Sequence, residues 1–122
     1  MATIANSHFD PNLDTKVIVH GYTRCGLDEW IQEMKEAFFT LGDVNIISVD
    51  WQKLAGPGPF YPAAANNTFK TGGHAADFIM FLVNDAGAVA DKFHPIGFSL
   101  GGHVVGSIGY HLINDHGVTL PR

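Results

Sequence analysis

Three observations predict a single α/β domain. Short β-branched apolar runs alternate along the chain with longer stretches whose apolar residues recur every three or four positions. The short runs are apolar almost throughout, the pattern of strands covered on both faces. The last of them leads through Gly97-Phe98-Ser99-Leu100-Gly101 directly into a helix-like stretch. Strand and helix alternating in this way imply parallel strands joined by right-handed crossovers, hence a three-layer α/β/α core.

Thr15 to His20 (TKVIVH) is the first predicted strand. A polar loop, Gly21 to Leu27, precedes a helix carrying Trp30, Met34, Ala37, Phe38 and Leu41 on one face. Asp28 and Glu29 stand at its front, where acids suit the helix dipole, and Gly42-Asp43 ends it. Val44 to Val49 (VNIISV) is a second strand, running into Asp50-Trp51. Gly56-Pro57-Gly58-Pro59 must be a loop. From about Tyr61 to Asn84 the spacing predicts a helix with Phe78, Ile79, Leu82 and Val83 on one face. Gly72-Gly73 within it either weakens the helix or lets it press against a neighbour. Asp91 to Ile96 is the third strand, and Leu100, Val104, Ile108 and Leu112 mark the third helix. Three parallel strands leave two unpaired sheet edges, so the sequence reads as the middle of a larger domain.

Bulk properties exclude several classes. The chain has 122 residues, enough for one domain, and 46% of them are apolar, enough for a core. A net charge of −5 with 7 scattered Lys and Arg leaves no basic patch for nucleic acid or an acidic membrane. No apolar run approaches the roughly 20 residues of a membrane span. Met1 to Asp10 lacks the basic and apolar regions of a signal peptide. Cys25 is the lone cysteine, either a buried thiol or half of a bridge with a partner outside this chain. His8, His74 and His94 show no metal-ligand spacing, so no metal site is expected.

The candidate chemistry sits at Ser99. A serine acts as a nucleophile only if its hydroxyl stands clear of the backbone, beside a base and an oxyanion hole. A sharp strand-to-helix turn presents it so, with small residues two before and two after because strand and helix nearly touch there. Gly97 and Gly101 hold those positions.

Four motifs then fall in one order: His20-Gly21-Tyr22, Val49-Asp50-Trp51, Tyr61-Pro62-Ala63 and Ile96 to Gly102 (IGFSLGG). Together with Phe9-Asp10-Pro11 they resemble the animal neutral lipase family, the pancreatic-lipase-like enzymes and secreted lipases and phospholipases of arthropods, over roughly residues 7–122. The resemblance implies a partial α/β-hydrolase fold, with residues 1–14 an approach segment and 15–122 part of the lipase domain. It implies Ser99 as nucleophile, with the backbone N–H groups of Leu100 and Tyr22 as oxyanion donors. His20 and Gly21 then order the oxyanion loop, and no cofactor is needed.

Two departures stand out. Relatives usually carry histidine where this chain has Phe98, which implies an altered local contact. In this fold the chain order is Ser, then Asp or Glu, then His. Relatives place that acid on the strand after the nucleophile helix, about where Leu120-Pro121-Arg122 ends this sequence. The triad acid and base, the lid and the substrate-selecting loops are therefore expected to be absent from this chain. Asp50 and His20 precede the serine and read as structural, and Trp51 as core or pocket rim. His103, His111 and His116 are not expected to replace the base. Gly101, Gly102, Gly106 and Gly109 read as close-packing positions, Phe38-Phe39 as core with partial exposure, and Asp77, Asp85 and Asp91 as solvated surface.

The resemblance thus implies a serine carboxylic-ester hydrolase acting on lipid esters, triglyceride, galactolipid or phospholipid, through an acyl-enzyme on Ser99 at a lipid–water interface. It implies an extracellular location as well. The alternatives are a non-catalytic lipase-fold lipid-binding or yolk-like storage protein, and a truncated product without a role of its own.

Overall fold

The computed structural model describes residues 2–56 and 61–122. The Gly-Pro loop expected at 56–59 lies, apart from Gly56, outside the described residues. Strands β1 (Thr15–Val19), β2 (Asn45–Val49) and β3 (Phe93–Gly97) form one parallel sheet in the order β2-β1-β3. Helices α1 (Ala2–Ala5), α2 (Glu29–Leu41), α3 (Gln52–Ala55), α4 (Tyr61–Asp85) and α5 (Leu100–His116) surround it. In register, Val17 lies opposite Ile47 on one side and Pro95 on the other, and Val19 opposite Val49 and Gly97.

Alternation along β1 divides the two faces. Val17 and Val19 belong to a buried cluster with Ala76, Ile79 and Leu82 of α4 and Val104, Ile108 and Leu112 of α5. Ile18 points the other way and is fully buried outside that cluster, as is Ile31 of α2. Lys16, on the same face as Ile18, holds its ammonium 5.2 Å from the centre of the Phe38 ring. So α4 and α5 cover one face and α2 the other.

Helices α4 and α5 meet closely. A Cβ on Gly72 would collide with the Ser107 side chain and lie 2.9 Å from the Ile108 amide. Ser107 Oγ in turn donates to the Phe69 carbonyl at 2.8 Å. Of the two roles open to Gly72-Gly73, close approach is the one found. The approach segment is pinned by Asn45, which accepts from the Asp10 N–H and donates to its carbonyl, and by Lys92 donating to Asn12 O.

Several expectations are corrected. The third strand starts at Phe93, because Ala90–Lys92 forms a single 3-10 turn. On α2 the buried position is Ile31, whereas Leu41 is 85% exposed and Ala37 is exposed as well. The apolar stripe is sound as a helix signal but misplaced in phase, since Ile31 is the buried position of α2. On α4, Ile79 and Leu82 are buried but Phe78 is 40% exposed. Among the α5 glycines only Gly101 meets a neighbour; a Cβ on Gly102, Gly106 or Gly109 would enter open space. The short helices α1 and α3 lack the length for a periodic signal.

One polar pair on the α2 face is sensitive to pH. Lys16 Nζ lies 3.2 Å from His94 Nδ1, so the ammonium donates to a neutral imidazole. Burial, then the positive charges of Lys16 and Arg122, lower the His94 pKa below the usual value of 6.5. A lowered histidine pKa gives a stability contribution that is full above the unfolded value and is lost as pH falls through it toward the folded value. Urea denaturation across that range should therefore show wild type losing more stability on acidification than His94→Gln, and equal losses would refute the pairing.

Candidate active site

The site is built where three chain segments converge. β3 ends at Gly97, and Ser99 takes φ 56° and ψ −123° before α5 starts at Leu100. The Gly101 N–H donates to Phe98 O at 2.8 Å. Ser99 thus has the dihedrals of the first central residue of a type II′ turn, a place that favours glycine. A non-glycine residue held there costs about 1–3 kcal/mol of backbone strain.

Contacts on each side hold the turn. A Cβ on Gly97 would collide with the Gly101 carbonyl and lie 2.6 Å from the Gly102 nitrogen. A Cβ on Gly101 would collide with Val19 O and lie 2.7 Å from His20 O. The Phe98 N–H donates to Val19 O at 3.1 Å, carrying the β1 to β3 ladder one residue beyond the strand. The Ser99 side chain is exposed, and among the described residues none hydrogen-bonds it.

The loop after β1 lies against this turn. A Cβ on Gly21 would sit 3.0 Å from Phe98 O and 3.1 Å from Ser99 Cβ. The loop closes through Arg24 N–H donating to Gly21 O at 3.3 Å, with Thr23 at φ 59°. Tyr22 lies between these two residues, its ring edge-on to Tyr61 at 5.2 Å. Leu100 opens α5, so its N–H has no partner within the helix, and none of the described residues accepts from it.

His20 fixes the base of the loop and is completely buried. The Trp51 N–H donates to His20 Nε2 at 3.0 Å, so that nitrogen carries a lone pair. The proton is then on Nδ1, which donates to Gly21 O at 2.9 Å. The Trp51 indole N–H donates to His20 O at 2.8 Å, and the two rings stack at 5.6 Å. Asp50 Oδ1 lies 3.2 Å from Nε2 and accepts from the Gln52 N–H at 3.0 Å. That amide bond holds the Asp50 carboxyl below the usual aspartate value, against a smaller opposing effect of burial. Both ring nitrogens of His20 are engaged, and none of its surface reaches solvent.

The Lipase family model matches residues 1–118. The chain belongs to the Lipase family. It is 38% identical over 108 residues to mouse inactive pancreatic lipase-related protein 1, covering 88% of this chain and 22% of that protein. It is 34% identical over 108 residues to mouse pancreatic triacylglycerol lipase, with 88% and 23% covered. To rat pancreatic lipase-related protein 2 it is 37% identical over 110 residues, with 90% and 23% covered. The chain therefore spans about a quarter of the length of these relatives. Lipase membership implies the α/β-hydrolase fold, and the parallel sheet with helices on both faces is part of one.

Within this Lipase-family frame, Phe98 has a definite surrounding. Its ring lies 5.5 Å from that of Trp30 on α2, tying the serine turn to the helix on the far face of the sheet. The Trp30 indole N–H is buried and has no hydrogen-bond partner among the described residues. Neither Trp30 nor Thr23 can be assigned to the site from sequence: one reads as a core position, and a threonine at positive φ leaves no local signal. The remaining histidines are engaged elsewhere or stand apart. His111 pairs with Asp115 at 2.7 Å and His116 with Asp77 at 3.1 Å, while His103 is exposed on α5. Asp77 is exposed, as expected of solvated surface, and its carboxylate also links α4 to α5. A groove of about 830 Å³ runs between β2 and α4, and Ser99 does not line it. Among the described residues no helix is long and apolar enough to cross a membrane.

The glycines give a sharp contrast. Gly97→Ala and Gly101→Ala should each cost about 3 kcal/mol or prevent folding, because the new methyl meets backbone. Gly106→Ala and Gly109→Ala should stabilise by about 0.5–1 kcal/mol each, being open helix-interior positions. Chemical denaturation of the four variants checks both halves.

Proposed function

We propose that this chain is the nucleophile-bearing part of a serine carboxylic-ester hydrolase acting on lipid esters. The observation that carries the reading is the exposed Ser99 side chain at positive φ between Gly97 and Gly101. Strain of this kind persists only where surrounding structure enforces it, and it concentrates at functional sites. In this reading the turn is a nucleophile elbow and Ser99 Oγ attacks the ester carbonyl. In this reading the tetrahedral oxyanion forms beside the N–H groups of Leu100, at the start of α5, and of Tyr22, in the loop seated on Ser99. Loss of one such donor typically costs on the order of 10²–10³ in rate.

His20 acts as a positioning residue for that loop. Its Nδ1–H holds Gly21 O while the buried Nε2 is occupied by Trp51, so it does not deprotonate Ser99. The family order of nucleophile, acid and base puts the other two triad members later in the chain than Ser99. Triglyceride and phospholipid esters share the reacting group, and the enzyme acts on them outside the cell at a lipid–water interface. A second, non-catalytic lipase-fold reading draws on the name of the inactive mouse relative.

A fluorophosphonate probe separates the two readings. It should label Ser99 in a form of the protein extended through the triad acid and base, and Ser99→Ala should abolish labelling. The 122-residue chain should label far more slowly, because a serine without its base holds almost no alkoxide at neutral pH. A folded extended form that stays unlabelled supports the non-catalytic reading.

A further inference from the structure

Both ends of the loop that follows β1 come to rest on one residue, Phe98. Gly21 opens the loop and is buried; a Cβ there would meet Phe98 O at 3.0 Å and Phe98 Cδ1 at 3.4 Å. Trp30, in the first turn of α2, closes it and brings its ring to 5.5 Å from the Phe98 ring, tilted by 48°. Phe98 itself has little freedom to follow them. Its N–H donates to Val19 O at 3.1 Å and its carbonyl accepts from the Gly101 N–H at 2.8 Å. With that backbone fixed by β1 and α5, the direction of the ring is set by what it packs on. A tilted aromatic pair at this separation attracts beyond the area it buries. The ring is what Trp30 contributes, since no described residue accepts from its indole N–H.

The far part of the loop is held without reference to Ser99. Ser48 Oγ donates to Gly26 O at 2.7 Å, and the Asp28 N–H donates to Cys25 O at 3.3 Å. These bonds fix residues 25–28 against the end of β2. Tyr22 lies nearer the other anchor, Gly21. His20 Nδ1 holds the carbonyl of Gly21 at 2.9 Å, and Phe98 bounds the same glycine on the serine side.

We propose that the Phe98 ring, steadied by Trp30, is a positioning device that fixes the Tyr22 N–H relative to Ser99. Its kinetic consequence rests on the ester-hydrolase reading given above. Neither ring touches the reacting atoms; both act through Gly21. An oxyanion donor acts on the transition state and not on bound substrate, so displacing it lowers kcat and leaves KM in place. A misplacement of about 1 Å can cost about 10²-fold.

Ester hydrolysis by the form extended through the triad acid and base tests this. Phe98→Ala should lower kcat about 10–100-fold with KM within about twofold, and Trp30→Ala should fall in the same range. The double variant should be no slower than the slower single one, because the two rings act as a unit. Trp30→Phe keeps a ring and drops the indole N–H, so it should recover most of the loss, as should Phe98→Tyr. Phe98→Leu fills much of the space without a ring and should fall between wild type and Phe98→Ala. Hydrogen exchange in the same protein reads the loop without turnover. The Arg24 amide, bonded to Gly21 O, should exchange faster in Phe98→Ala and Trp30→Ala while the β1 amides keep their protection. Wild-type kcat in Phe98→Ala overturns the proposal. So does a raised KM at unchanged kcat, because the ring then contacts substrate. If the wild-type extended form hydrolyses no ester, the hydrolase reading fails and Arg24 exchange decides: faster in both variants supports the positioning, and unchanged in both overturns it.

Discussion

The backbone contact between the first turn of α5 and the ends of β1 and β3 is the constraint on which the site depends. Gly97 and Gly101 lie against each other, and Gly101 lies against the carbonyls of Val19 and His20. No side chain fits between them. This proximity brings the helix N-terminus, with its Leu100 N–H, beside the loop that follows β1. It also forces Ser99 into a conformation that only glycine adopts without cost. The exposed hydroxyl and the strained backbone therefore have one cause, and the α4–α5 cluster behind them supplies the stability that offsets the strain.

A second network sets the height of the loop. His20 follows β1 and Trp51 follows β2, and their reciprocal bonds tie the two strand ends together. The same imidazole holds Gly21 O, the carbonyl that also closes the Gly21–Arg24 turn. A change at Trp51 would therefore reach Tyr22 without touching it. Phe98 and Trp30 make the corresponding link to α2, by ring packing where the resemblance would place a histidine.

Much of this is legible in the residues. The apolar runs TKVIV, NIISV and FHPIG are the strands, and G-F-S-L-G locates the turn because its glycines answer a steric requirement visible from spacing alone. What stays hidden depends on distant partners. The phase of α2 cannot be read, because Ile31 is buried while Leu41, equally apolar, reaches solvent. Glycine spacing on α5 looks uniform, yet only Gly101 meets backbone, since the β1 carbonyls lie at the helix start alone. The tautomer of His20 follows from an amide thirty-one positions away in sequence, and no local pattern announces it.

The central claim, that packing holds Ser99 in a strained turn, is tested most directly by comparing Ser99→Gly with Ser99→Ala in equilibrium denaturation. Glycine is ordinarily the less stable of the two, by roughly 0.5–1 kcal/mol in regular structure. At φ 56° the order should invert, with Ser99→Gly more stable than Ser99→Ala by about 1 kcal/mol. If Ser99→Ala is the more stable, the turn is not strained and the account of the site fails.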